Sequence, residues 1–382
     1  MSKHKILALL LLLALSATAF SIPFVFKTQA YTPVTRTYYM AADEVEWDYA
    51  PSYPYNPITG QQFGTGWVLD ENIFLGQGPD RIGRVYTKCL YREYTNANFD
   101  TLKPVPPEWQ HLGTLGPVIR GVVGDTLVVV FKNNCQIPTT VHPHGVFYLK
   151  PSEGAFYADD DGINGGDNVL PGAMWTYTWL VPARAGPGPM DPSSVLWMYH
   201  GHVDESGETN AGLIGPIVIT KPSMARADGT PRDVDREFVN LFTVFDENRS
   251  PYIDHNIQKY IADEGNLFTD PEMLKEDGDF QESNLMHSVN GYLFGNVPGL
   301  VMDLGERVRW YIIAMGTEVD LHSPHWHGNS LLFGGMRVDV IEVLPGSMKT
   351  LTMVPDNPGT WLYHCHVNDH IDAGMLALYT VQ

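Results

Sequence analysis

Apolar and polar residues alternate along much of the chain, broken by Gly, Pro and Asn/Asp, with the period of strands. Segments 124–132, 173–181, 194–200, 213–220, 236–245, 305–314, 347–354 and 359–365 are rich in Val, Ile, Thr and aromatic residues, with turn residues between them. No stretch sustains the 3.6-residue period of a long amphipathic helix. Residues 31–80 read as an opening strand followed by irregular chain, and 246–280 as a polar, acidic loop region. The pattern predicts an all-β protein of two tandem Greek-key β-sandwiches.

The strand pattern occurs twice. Gly124-Asp-Thr-Leu-Val-Val-Val-Phe leads to His142-Pro-His144-Gly145, as Gly305-Glu-Arg-Val-Arg-Trp-Tyr-Ile leads to His325-Trp-His327-Gly328. Pro171-Gly-Ala-Met-Trp-Thr-Tyr-Thr then matches Pro345-Gly-Ser-Met-Lys-Thr-Leu-Thr. Trp197-Met-Tyr-His200-Gly-His202-Val203 matches Trp361-Leu-Tyr-His364-Cys-His366-Val367. Three matches in one order mean two copies of one unit. The polar stretch Lys221–Arg232, with Pro222, Gly229 and Pro231, separates them. The expected domains are 31–222 and 233–382.

Composition narrows the setting. With 382 residues, 44% of them apolar, the chain can fill two cores. A formal net charge of −20 argues against nucleic acid and anionic membrane surfaces, and concentrates cations nearby. Lys3, His4 and Lys5 precede the apolar run Ile6–Leu15, with small-residue cleavage positions after Ala19 and after Ala30. Residues 1–30 therefore read as a signal peptide for export to the periplasm or the cell exterior, an uncleaved membrane anchor being the alternative. Of three cysteines, Cys365 lies in a histidine cluster. That leaves Cys89 and Cys135 to pair under oxidising conditions, or to remain buried thiols.

The histidines carry the chemistry. Ten of fourteen fall in four groups: His142/His144, His200/His202, His322/His325/His327 and His364/His366/His370. Residues i and i+2 of a strand face the same way, so each His-x-His aims two imidazoles in one direction. Four such pairs offer eight nitrogens, too many for one ion, and imply a cluster of ions. Cys365 points to the opposite face from His364 and His366. There it can join His322, His370 and Met375, and two imidazoles, a thiolate and a weak axial thioether describe a blue-copper site. The first repeat has Gly201, Leu213 and Thr139 where the second has Cys365, Met375 and His322. It keeps the paired histidines and lacks the mononuclear site.

These four motifs resemble the copper-ligand motifs of multicopper oxidases, whose domains are cupredoxin-like. The resemblance implies four coppers per subunit. Type 1 copper would sit at His322, Cys365, His370 and Met375, and type 2 at His142 and His325. The type 3 pair would take His144, His200 and His366 on one ion and His202, His327 and His364 on the other. The implied reaction takes single electrons from a reductant and delivers four to dioxygen, giving water. Asp80-Arg-Ile-Gly-Arg, Gly212-Leu-Ile-Gly-Pro-Ile, Glu282-Ser-Asn-Leu-Met-His287-Ser-Val-Asn-Gly and Gly316-Thr-Glu318-Val-Asp-Leu-His322 resemble the ceruloplasmin branch. That branch has six such domains in one chain, so a homotrimer of this chain would form an equivalent six-domain ring, with the ion clusters at subunit interfaces.

The branch also implies an Fe(II) site at Glu282, His287 and Asp369, with Glu318 from a neighbouring subunit. Ferroxidase activity is therefore expected, the alternative being laccase-like oxidation of phenols or aromatic amines. Asp159, Asp160, Asp161 and Asp167 read as a solvated acidic turn rather than a calcium loop. His111 and His255 show no partner in the sequence.

Overall fold

The structure is a computed structural model that describes residues 31–65, 71–158, 166–261 and 271–382. The leader 1–30 with its two cleavage positions, and Asp159–Asp161, lie outside the described residues. Thr32–Gln382 forms one compact unit.

Eight strands precede the Lys221–Arg232 stretch: β1 (Thr35–Asp48), β2 (Val85–Tyr94), β3 (Ile119–Val122), β4 (Thr126–Asn133), β5 (His142–Pro143), β6 (Met174–Leu180), β7 (Ser194–His200) and β8 (Ile214–Thr220). Ten follow it: β9 (Arg236–Asp246), β10 (Leu285–Val289), β11 (Val301–Met302), β12 (Val308–Ala314), β13 (Pro324–Trp326), β14 (Leu331–Phe333), β15 (Met336–Val338), β16 (Ser347–Met353), β17 (Gly359–Cys365) and β18 (Leu376–Val381). In the first half the sheet orders are β2-β1-β4-β6 and β3-β8-β7-β5. The second half repeats them as β10-β9-β12-β16, extended by β14-β15, and β11-β18-β17-β13. The repeat seen in the sequence is thus a repeat of sheet topology.

Local patterning explains the faces. β4 buries alternate positions, turning Leu127, Val129 and Phe131 inward. β8 and β12 are buried at every position; β8 is apolar up to its last residue, Thr220, and β12 is apolar or aromatic except for the buried Arg309. Three apolar cores result. Leu127, Phe131, Tyr177 and Trp179 anchor one in the first half. Trp310, Trp326, Leu351 and Tyr363 anchor another in the second. Leu196, Val218, Leu241, Tyr311 and Ile313 belong to a third, between the halves. Each fully buried aliphatic side chain contributes roughly 1.5–3 kcal/mol.

Polar staples cross the same junction. Lys88 on β2 and Glu247 just after β9 form a fully buried ion pair, and Tyr49 donates to Glu247. Arg120 pairs with Glu237 at 2.8 Å, and the Tyr311 hydroxyl donates to the same carboxylate. His111 is also fully buried. Its Nδ1–H donates to the Glu108 carbonyl, and its Nε2 accepts the Val239 amide at 3.1 Å. It joins the two halves. Cys89 and Cys135 form a disulfide with Cα atoms 6.3 Å apart, tying β2 to the turn after β4.

The acidic stretch 246–280 is not only loop. Helices occupy Ile253–Tyr260, Pro271–Lys275 and Gly278–Ser283. They are five to eight residues long, too short to carry a clear helical period. What holds them is packing, since Ile257, Leu274 and Phe280 enter the core between the halves. No helix among the described residues is long and apolar enough to cross a membrane.

Candidate metal centres

Two short ladders bring the histidines together. β5 pairs with β7 so that His142 faces His200, and β13 pairs with β17 so that His325 faces His364. Each His-x-His motif therefore meets another from its own half. In the first half His144 Nε2 lies 3.1 Å from His200 Nε2, and the His142 ring stands 5.0 Å from that of His202. In the second half His364 Nε2 lies 3.0 Å from His327 Nε2 and 3.3 Å from His325 Nδ1. The His366 ring stands 5.3 Å from that of His325.

Backbone carbonyls orient several of these rings. His142 Nδ1–H donates to Glu153, His200 Nδ1–H to Gly201 and His364 Nδ1–H to Cys365. Assigning the proton to Nδ1 leaves Nε2 of each ring as a free donor of an electron pair. Burial, the largest cause, together with neighbouring imidazoles holds His144, His200 and His364 at about 4, so they are neutral at ordinary pH. An open cleft of about 630 Å³ lies before the second set, lined by His325, His327, Asn329, Arg337, Asp339 and Asp356.

Cys365 turns the other way, into the core. Its Sγ lies 3.6 Å from His370 Nδ1 and 4.0 Å from His322 Nδ1, and those nitrogens are 3.1 Å apart. All three residues are buried, and the Ser323 amide donates to the sulfur at 3.3 Å. Burial pushes the thiol up. Three electron-pair donors packed this tightly fit a soft metal ion, which would hold the sulfur as thiolate. Met375 is fully buried, and its carbonyl accepts the Cys365 amide. The two sets of imidazoles, each with lone pairs converging, fit metal ions as well.

Asp320, which belongs to none of the ligand motifs, supports this group. It is buried, accepts the Val244 and Thr317 amides, and lies 3.4 Å from His322 Nε2. Burial alone would raise its carboxyl, but His322 and the two amides outweigh burial and hold it below the usual range. A Cβ at Gly316 (φ +125°) would overlap the Asp320 carboxyl, so this turn needs glycine. A carboxylate two residues before a histidine ligand is its only sequence signal.

Of the residues expected to bind Fe(II), His287 and Asp369 lie beside the thiolate site. The His287 ring packs on His370 with centroids 5.2 Å apart, and its Nδ1–H donates to the Leu285 carbonyl. Asp369 is exposed beside His370. Glu282 is exposed near the end of the Gly278–Ser283 helix, and Glu318 on the turn leading to Asp320.

Multicopper oxidase models match residues 112–224 and 268–382, which contain the two histidine sets. The chain belongs to the multicopper oxidase family. Within it, the chain is 43% identical to human ferroxidase HEPHL1 over 352 residues and 43% identical to rat ceruloplasmin over 348. It is also 42% identical to human hephaestin over 355. Each alignment covers 91% of this chain but 29%, 32% and 28% of the relative, so the chain spans about a third of their length. Among solved structures, a multicopper oxidase aligns over 91% of this chain and 89% of its own, with a TM-score of 0.53 and 18% identity. A copper nitrite reductase from Nitrosomonas europaea aligns over 91% and 94%, with a TM-score of 0.56 and 15% identity. These likenesses carry the fold, which is two tandem cupredoxin-like sandwiches, and the family carries copper.

Proposed function

We propose that this multicopper oxidase couples the oxidation of Fe(II) to the reduction of dioxygen. The observation that carries the reading is the buried convergence of His322, Cys365 and His370, with His364 turned from the same strand into a second histidine set. His322, Cys365, His370 and Met375 would hold type 1 copper, and His142 with His325 type 2. His144, His200 and His366 would hold one type 3 ion, and His202, His327 and His364 the other. Bound copper supplies one-electron acceptance at the thiolate site and four-electron reduction of dioxygen at the histidine cluster.

The chain's own residues set the path and the substrate. His364 and His366 adjoin Cys365, so consecutive residues join the two centres. Glu282, His287 and Asp369, with Glu318 from a neighbouring copy, would bind Fe(II) as substrate. Carboxylates favour Fe(III) over Fe(II), which eases loss of the electron. His287 against His370, and Asp369 adjacent to it, put that electron beside the thiolate site. Four Fe(II), one dioxygen and four protons give four Fe(III) and two waters. The net charge of −20 draws in cations.

Each half carries four histidines of the cluster, and ring contacts among those eight join histidines of one half. This supports domains at 31–222 and 233–382 and a homotrimer in which the first domain of one copy meets the second of the next. The disulfide and the leader 1–30 support export. Oxygen consumption with Fe(II) and with a phenol tests the substrate. Glu282→Ala and Asp369→Ala should each lower Fe(II) turnover at least tenfold and spare phenol turnover. Equal loss on both substrates would reject the iron site in favour of laccase-like chemistry.

A further inference from the structure

The first half lacks the thiolate site, yet its strand ends hold the same shape. The hydrogen bonds there show which residue replaces which. In the second half the Cys365 amide donates to Met375, and the Met375 amide donates to His370 at 2.8 Å. In the first half the Gly201 amide donates to Leu213, and the Leu213 amide donates to Glu208 at 3.0 Å. Gly212 (φ +111°) and Gly374 (φ +106°) turn the chain in the same left-handed conformation just before Leu213 and Met375. Glu208 is therefore the counterpart of His370. Two extra residues between His202 and Gly212 hide this in the sequence.

The Glu208 carboxylate, on a side chain 2% exposed, fills the place of the missing site. A Cβ at Gly201, which aligns with Cys365, would overlap it. Its Oε2 accepts the amides of Val203 and Asp204, and its Oε1 accepts the amide of Thr140 at 3.3 Å. Thr140 lies two residues before His142, and Val203 directly follows His202. The Thr140 hydroxyl also accepts the His202 amide at 3.0 Å. The ladder between β5 and β7 has only two residue pairs, and the Glu208 bonds act beside the Thr140 hydroxyl and the Tyr91 hydroxyl in holding these ends. One carboxylate thus gathers the segment entering His142-Pro-His144 and the segment leaving His200-Gly-His202. In the second half the matching segments supply His322, Cys365 and His370.

We propose that Glu208 is a positioning residue for the first-half histidines, doing with backbone hydrogen bonds what the thiolate site's metal does in the second half. The proposal rests on the reading that His142, His144, His200 and His202 bind copper. Buried hydrogen bonds to a carboxylate are strong and directional, and partners that orient ligands typically change metal affinity about 10–100-fold.

The test is Glu208→Ala and Glu208→Gln in the full chain loaded with copper. The readouts are copper per chain under chelator challenge, the thiolate–copper visible absorption, and the electron paramagnetic resonance of copper outside the thiolate site. The thiolate site, whose ligands all lie in the second half, serves as the internal control. Glu208→Ala should keep the visible absorption while copper beyond the thiolate site is lost to chelator at least tenfold more readily, with an altered resonance. Glu208→Gln, which keeps one acceptor oxygen, should fall between it and the native protein. Unchanged retention and resonance in either variant would overturn the proposal. So would equal loss at both centres, which would make Glu208 a general structural residue. If Glu208→Ala fails to fold, Glu208→Gln decides on the same criteria. A native protein with no copper outside the thiolate site would instead reject the underlying reading.

Discussion

His111 shows how much a single buried ring can do without touching a metal. Both of its nitrogens are used, one donating to Glu108 and one accepting from Val239. A proton on Nε2 would destroy the second bond. Burial drives the ring down to about 4, whereas in the unfolded chain it titrates near 6.5. The unfolded state therefore takes up a proton first as pH falls. The stability His111 confers is complete above about 6.5 and is lost progressively down to about 4, on the order of 3 kcal/mol in all. Denaturant unfolding at several pH values should show His111→Gln less stable than the native protein at pH 7. Its stability should also fall less steeply between pH 6.5 and 4. Equal slopes for the two proteins would contradict this account. No sequence pattern marks the role, because the partners are backbone groups and one of them, the Val239 amide, lies far along the chain. Asp320 and Glu208 escaped for a related reason, each being a single acid outside any repeated motif.

Among elements, those that pack both ways or alternate strictly were the readable ones. β4, β6, β7, β8, β9, β16 and β17 coincide with strand-like segments to within a residue or two, and β12 begins three residues after the start of its segment. Their side-chain pattern is set by the sheet itself. β2, β3, β10, β18 and the short strands β5, β11 and β13 to β15 went unmarked. β2 carries Lys88 at a fully buried position, which breaks an apolar reading. That lysine makes sense only across the junction, where it pairs with Glu247, donates to the Asn210 carbonyl and lies 4.3 Å from the centre of the Phe245 ring. Burial pulls both charges toward neutrality, and their contact opposes it. Removing one partner strands the other without water. Lys88→Met should therefore cost about 3–5 kcal/mol in chemical denaturation, and Lys88→Met with Glu247→Leu should recover much of that loss. A double variant as unstable as the sum of its singles would mean that the pair does not couple the halves.

At the scale of the molecule, the two kinds of centre differ in what they require. The thiolate site draws every ligand from one half of one chain, so it should form in any folded copy. The histidine cluster is divided between halves that make no ring contact with each other among the described histidines, and its second set opens onto a wide cleft. Its copper should therefore depend on assembly. Met336 is 65% exposed, next to Arg337 on the wall of that cleft, and Leu149 is 69% exposed beside Tyr148, whose ring packs on His142. Burying an unpaired carboxylate at either place costs several kcal/mol, enough to separate the copies. Met336→Asp and Leu149→Asp should sediment as monomers, retain full visible absorption per chain, and hold about one copper per chain where the proposed trimer would hold about four per chain. Monomers that kept the remaining copper would mean that a single chain completes the cluster, and a native protein that sedimented as a monomer with all its copper would say the same. Loss of the visible absorption as well would show that assembly reaches into the second core, because the cysteine of that centre is buried in the same core as Tyr363 and Trp310.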